Sequence, residues 1–197
     1  MNTIAKTILA FAVELPEGTI LSAKELLHLG ERAAIDQALS RLAKRGELIR
    51  LRRGLFALPV KSRFGHRAPS AETVVESIAE ATGEVVTESG ATAANRLGLT
   101  TQNPTRQVYW TSGKSRKLQL GAQTVELRQV RSWQVLAPGR RAGSALRAMA
   151  WFGEAEAGPA LMHIKSELTA SEQRELLRMR RAMPTWLAKE LSGLAAR

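Results

Sequence analysis

Apolar residues recur along the first sixty positions at helical spacing and then at strand spacing. Ile4, Ile8, Phe11 and Leu15, with Leu9 and Val13 beside them, predict a helix over 3–14 that Pro16-Glu17-Gly18 ends. Thr19-Ile20-Leu21 reads as a short extended piece. Ser22-Ala23-Lys24-Glu25 has the S-x-x-E form of a capping box, in which each side chain satisfies the other's backbone amide. A second helix is therefore expected from Ser22 through Leu29, stopping at Gly30. A third spans about 31–45, where Ala34, Ile35, Ala38, Leu39 and Leu42 form one apolar stripe and Gly46 can end it. Two strands then flank Arg52-Arg53-Gly54, a basic hairpin turn in which the glycine can take a positive φ.

Residues 61–69, KSRFGHRAP, read as a basic linker. Beyond it the pattern predicts a helix from Ser70 to Thr82, a strand at 85–87, a short helix at 90–98 and a turn from Thr100 to Pro104. Strands follow at 107–111, 117–120 and 124–130, then helices at about 140–152, 169–182 and 184–195. The fold class expected is α+β. A winged helix-turn-helix over 1–68 precedes a mixed α/β domain over 69–197 with a small antiparallel sheet and a helical C-terminal tail. Residues 1–68 are expected to fold alone with marginal stability.

Composition narrows the function. Hydrophobic residues make up 44% of the chain, enough for a core, but aromatics only 5%. The absence of cysteine excludes disulfides, thiolate metal sites and a cysteine nucleophile, and fits a reducing cytoplasmic location. No apolar run approaches the ~18 residues that span a bilayer, so no membrane partner is expected. The apolar N-terminal stretch lacks the basic segment and cleavage site of a leader peptide. The net charge is +11 and points to a polyanion. It is concentrated in residues 1–70, net +6, and 101–147, net +8, around an acidic block at 71–100, net −4.

The order helix, strand, helix, helix, hairpin is that of a winged helix-turn-helix. If the apolar stripe packs the third helix inward, its other face can enter a major groove, which admits one helix. Arg32, Gln37, Ser40 and Arg41 are the candidates for base edges, since Arg matches the acceptors of guanine and Gln those of adenine. Lys44, Arg45, Arg50, Arg52 and Arg53 are the candidates for the DNA backbone. Residues 44–67 hold 8 basic side chains and 1 acidic, so such binding would be strongly salt-dependent.

Residues 22–59, and above all LGERAAIDQALSRLAKRGELIRLRRGLFALP, resemble the N-terminal domain of the AbiEi antitoxin family. The segment GELIRLRRGLFALP has that family's wing ending of Gly, aromatic and Pro, with Phe56 where Tyr is common. The resemblance covers about a fifth of the chain. It implies a transcriptional repressor that regulates its own operon through inverted repeats in duplex DNA. It also implies an antitoxin, of type IV, that opposes a nucleotidyltransferase-like toxin without a stable complex, antitoxicity residing in the C-terminal part.

The second basic block, Arg106, Lys114, Arg116, Lys117, Arg128 and Arg131, decorates the expected small sheet. Alternation allows Arg116 and Arg128 to share one surface. That surface is either a second polyanion contact, which makes an RNA-binding module the alternative reading, or a solvated basic face. Trp133, Trp151 and Trp186 read as core or interface anchors. His28, His66 and His163 are far apart in sequence with no acidic cluster at ligand spacing, so no metal is expected. Gly113-Lys114-Ser115 lacks the upstream glycine of a phosphate loop. No acid–base constellation is visible, so neither enzymatic activity nor a cofactor is expected.

Overall fold

The computed structural model describes residues 3–63, 65–102 and 105–195. Phe64, Asn103 and Pro104, to which the expected linker and turn extend, lie outside the described residues. In chain order the elements are α1 (Thr3–Val13), β1 (Ile20–Leu21), α2 (Arg32–Lys44), β2 (Ile49–Arg52), β3 (Leu55–Ala57), β4 (Val60–Ser62), β5 (Gly65–Arg67), α3 (Ala71–Thr82), β6 (Val86–Glu88), α4 (Gly90–Arg96), β7 (Gln107–Thr111), β8 (Arg116–Leu120), β9 (Gln123–Gln129), α5 (Arg141–Phe152), α6 (Ala157–Glu167), α7 (Ala170–Met179) and α8 (Thr185–Ala195). The architecture is α+β. It divides into two compact units, Met1–Glu84 with Arg116–Glu126, and Val85–Ser115 with Leu127–Arg197.

The first unit is organised by α2. Ile35, Ala38, Leu39 and Leu42 are all buried and share a cluster with Ala5, Ile8 and Ala12 of α1. The segment between β1 and α2 is not the α-helix that the capping signal suggests. Turns lead to a single 3-10 turn at Leu27–Leu29. The Ser22 backbone N–H does donate to Glu25 Oε2, at 2.8 Å, but the Glu25 N–H donates to the Ser22 carbonyl, at 3.2 Å, and not to its hydroxyl. Eight residues before Gly30 are too few to repay a helix nucleus, and the tighter 3-10 bonding prevails.

Strands β1, β3 and β2 form an antiparallel sheet in that order, with Leu21 and Arg50 each opposite Phe56. Leu21 and Phe56 join the α1–α2 cluster. Ile20, Leu51 and Ala57 alternate onto the other face, yet they are only 6%, 1% and 0% exposed. Two later elements cover them. α3 packs on β1, where Ser77 Oγ accepts the Ile20 N–H at 3.0 Å, and β8 lies against β2. The unit therefore extends past the boundary expected at residue 68. Linker composition and a change of charge sign register solvent exposure, whereas this boundary is set by what buries the back of a sheet. Residues expected as linker instead form the β4–β5 hairpin, with Val60 opposite Arg67.

In the second unit β6 pairs antiparallel with β7, and the Val130 N–H continues the ladder to the Thr111 carbonyl at 3.1 Å. Residues 142–149 of α5 are all buried. α4 approaches α5 so closely that a Cβ on Gly90 would lie 2.6 Å from the Arg147 carbonyl oxygen. Arg147 itself is fully buried. Its Nη2 donates to Glu88 Oε1 at 3.1 Å and its Nη1 to the Leu136 carbonyl at 3.1 Å. Glu88 also accepts from Ser144 Oγ at 2.6 Å and from Arg96 Nη1 at 2.8 Å. Burial holds the Arg147 guanidinium below its ordinary pKa, against the opposing pull of the Glu88 carboxylate. α6 lies where Gly153, Gly158 and Pro159 suggest a loop. Pro159 falls in its first turn, where a missing N–H costs no hydrogen bond.

Cutting the chain after residue 68 removes α3 and β8 and opens the face of Ile20, Leu51 and Ala57 to water. The fragment 1–68 should consequently lack the cooperative thermal transition of the whole chain, as followed by circular dichroism. A sharp transition in the fragment would show that the uncovered face is dispensable.

Candidate nucleic-acid interface

The outward face of α2 carries Arg32, Gln37, Arg41 and Lys44, all exposed because the opposite stripe is committed to the core. Arg32 pairs with Asp36 at 3.6 Å, with side-chain exposures of 66% and 50%. Such a solvated i,i+4 pair contributes only tenths of a kcal/mol, about 0.3–0.5. Arg41 Nη2 reaches Gln37 Oε1 at 3.5 Å, the limit of a hydrogen bond. These contacts are weak enough to be exchanged for an external partner.

Ser40 and Arg50 are placed differently. Ser40 is half-buried, and its hydroxyl accepts a hydrogen bond from Arg50 Nη2 at 3.0 Å. The Arg50 guanidinium also lies 5.2 Å from the centroid of the Phe56 ring, within the range of a cation–π contact. Two residues expected at a base edge and at a phosphate thus join α2 to β2. Beyond this link the chain turns at Arg52-Arg53-Gly54, with both arginines exposed and Gly54 at φ 73°. β2 carries an irregularity in register between Arg50 and Arg52. It gives the hairpin a local kink next to the basic turn. Arg45, at the C-terminal cap of α2, forms an ion pair with Glu47.

The residues of the second basic block are divided between the two units and differ in their settings. Arg116 is 13% exposed and pairs bidentately with Glu84, Nη2–Oε2 2.6 Å and Nη1–Oε1 3.1 Å. Its charge is paired within the first unit, which leaves less of it for an external polyanion. Lys117 is exposed on β8, and Lys114 is exposed beyond β7. Arg106, Arg128 and Arg131 are exposed in the second unit, where Arg106 and Arg128 line a common cavity and Arg131 precedes a 3-10 turn.

His28 stands edge-on to Phe11, with ring centroids 5.5 Å apart. His163 lines a small cavity with Leu99 and Phe152, and His66 is exposed on β5. No group of three or more His, Asp or Glu among the described residues could hold a metal ion, and no helix is long and apolar enough to cross a membrane. A cavity of about 630 Å³ lies beside α1, lined by Leu9, Val13, Leu58 and Val60 among others. Nothing in the periodicity signals it.

Residues 7–176 match a family of unknown function, DUF6088. The RV2827C protein from Mycobacterium tuberculosis, known from a crystal structure, resembles this chain over 98% of its length and 76% of that protein's own. The TM-score is 0.53 and the identity 17%. At that identity the likeness is one of fold. No curated protein sequence matches.

The Arg50–Ser40 bond should appear as a coupling in a double-mutant cycle. Arg50→Ala, Ser40→Ala and the double variant should show non-additivity of about 1 kcal/mol in urea unfolding. Additive losses would mean that the two side chains act independently.

Proposed function

The chain belongs to the DUF6088 family, whose function is unknown, and from that premise we propose that it is a sequence-specific DNA-binding repressor using a winged helix-turn-helix. The observation that carries this reading is the attachment of a basic hairpin to α2 through Arg50, Ser40 and Phe56. A major groove admits one helix, and a side chain reaches a base edge only if the helix is held against the backbone on either side. In this reading α2 is the recognition helix. Arg32, Gln37 and Arg41 read bases, while Lys44, Arg52 and Arg53 hold phosphates. Ser40 and Arg50 act as positioning residues that set the angle between helix and wing.

The resemblance of residues 22–59 to the AbiEi N-terminal domain extends the proposal. The protein represses its own operon at inverted repeats and acts as the antitoxin to a nucleotidyltransferase-like toxin. The density of basic residues over 44–67 supports a phosphate-dominated affinity.

Fluorescence anisotropy on DNA from immediately upstream of the gene, against a random duplex, tests the reading. Arg32→Ala, Gln37→Ala and Arg41→Ala should each lose about 1–3 kcal/mol on the upstream DNA and much less on the random duplex. Equal losses on both would confine α2 to phosphates and sink sequence-specific reading.

Arg52→Ala with Arg53→Ala should weaken all duplex binding and flatten the salt dependence by about one unit of slope per lost phosphate contact. An unchanged slope would remove the turn from the interface. The antitoxin part is checked by co-expression with a neighbouring nucleotidyltransferase-like gene. The full chain should restore growth, and growth arrest despite its expression counts against that part.

A further inference from the structure

Among the four tryptophans of the sequence, Trp151 is placed unlike the others. Trp110 is 8% exposed, and Trp133 and Trp186 pack against the core of the second unit, but Trp151 on α5 is 41% exposed. Leaving an indole ring in water forgoes one of the largest burial gains a side chain offers, so what the ring borders matters. Trp151 lines a cavity of about 280 Å³. The buried Trp110 and Gly90 form its inner side, and the exposed Arg106 and Arg128 its outer side. Gly90 packs tightly against both tryptophans at the floor of the cavity, where no larger residue fits. A Cβ there would stand 2.6 Å from Trp151 Cβ and 2.7 Å from Trp110 Cη2. Phe152 meets the Trp151 ring edge-on, with centroids 4.9 Å apart and planes at 66°, which restrains the orientation of the indole.

Among the described residues no carboxylate lines this cavity, and the two charged side chains that do are both guanidinium groups. That set repels cations and suits a phosphate, whose oxygens match the planar fork of arginine. Its remaining surface is mostly aromatic and aliphatic. The volume falls just under the ~300–1,000 Å³ usual for small-molecule sites, room for one planar ring and not for a drug-sized ligand. Ser89, also in the lining, is already engaged, its hydroxyl accepting the Thr92 N–H at 3.3 Å to cap α4.

We infer that this cavity binds a single nucleotide unit, its base stacked on Trp151 and its phosphate held by Arg106 and Arg128. Stacking on an indole is open to any base because every base has a π-face. A base inside a duplex is stacked on its neighbours and presents no free face, so the ligand is a free nucleotide or one residue of a single strand. The site shares no residue with α2 or the basic turn, and its occupation is independent of duplex reading.

The test uses the full chain and fluorescein-labelled single-stranded octa-adenylate, with AMP as competitor. Trp151→Ala should weaken strand binding roughly tenfold, and Trp151→Phe should keep most of the affinity, since a phenyl ring still stacks. Arg106→Glu, at an exposed position where folding is not at stake, should weaken it at least as much by reversing a charge. The Arg52→Ala, Arg53→Ala variant should bind the strand like the parent chain, and Trp151→Ala should bind duplex DNA like the parent, which separates this site from the duplex interface. Displacement of the strand by AMP would assign the site to the mononucleotide, and resistance to AMP would assign it to the strand. Unchanged strand affinity in both Trp151→Ala and Arg106→Glu would overturn the inference, as would equal losses in Trp151→Phe and Trp151→Ala.

Discussion

The first unit is built around a short three-stranded sheet that is buried on both faces. β1 and β3 contribute two and three residues, too few for ladder hydrogen bonds alone to fix their geometry. Burial on both faces does so instead. Phe56 and Leu21 anchor one face in the α1–α2 cluster. Ile20, Leu51 and Ala57 are covered on the other by α3 and β8. Because Phe56 sits opposite Arg50, the same packing that immobilises the sheet aims the Arg50 guanidinium at Ser40. The position of the basic turn relative to α2 is thus a product of core packing, and the polar link at Arg50 refines it.

Charge is distributed by a related logic. Of the residues that make 101–147 strongly positive in sequence, Arg116 and Arg147 are held by Glu84 and Glu88 away from solvent. Arg140 and Arg141 are drawn into ion pairs with Glu175, Glu167 and Glu172. The acidic block at 71–100 therefore partly neutralises basic residues remote from it in sequence. The outward face of α2 keeps exposed guanidinium groups whose partners are weak, and Arg52 and Arg53 are exposed at the turn.

What the sequence made legible was local. The stripe on α2, the Ser70 cap and Gly83 stop of α3, and the positive φ of Gly54 each follow from a few adjacent residues. What it hid was set by contacts distant in sequence. A capping signal at Ser22 was overruled by the short span before Gly30. The α6 helix was masked by Gly153, which caps the end of α5, and by Gly158 and Pro159, whose placement in the first turn of α6 makes them harmless. The division at residue 68 was obscured because the residues that bury the back of the sheet include β8, some fifty positions further on. Side-chain settings followed the same pattern. Arg32, Gln37 and Arg41 lie on the face the stripe leaves outward, whereas Ser40, Arg50 and Arg116 are engaged by partners 10 to 32 residues away. Exposure of Trp151 had no sequence signal, since its neighbours on α5 are as apolar as any core helix.

That the first unit is assembled from two separated stretches of chain also bears on its birth at the ribosome. Synthesis delivers the chain from the N-terminus, and domains ordinarily fold as contiguous units emerge. Here α2 and the basic turn are complete by residue 57, but β8 emerges only after β6, α4 and β7 have been made. Until then only α3 is available to cover the back of the sheet, and Leu51 has no neighbour from β8. Closing so long a loop also slows folding, because its entropy is lost before the contact is gained. The nascent chain therefore passes through an interval in which its basic surface exists without its full support. The protein becomes structurally competent only once most of its length has been translated.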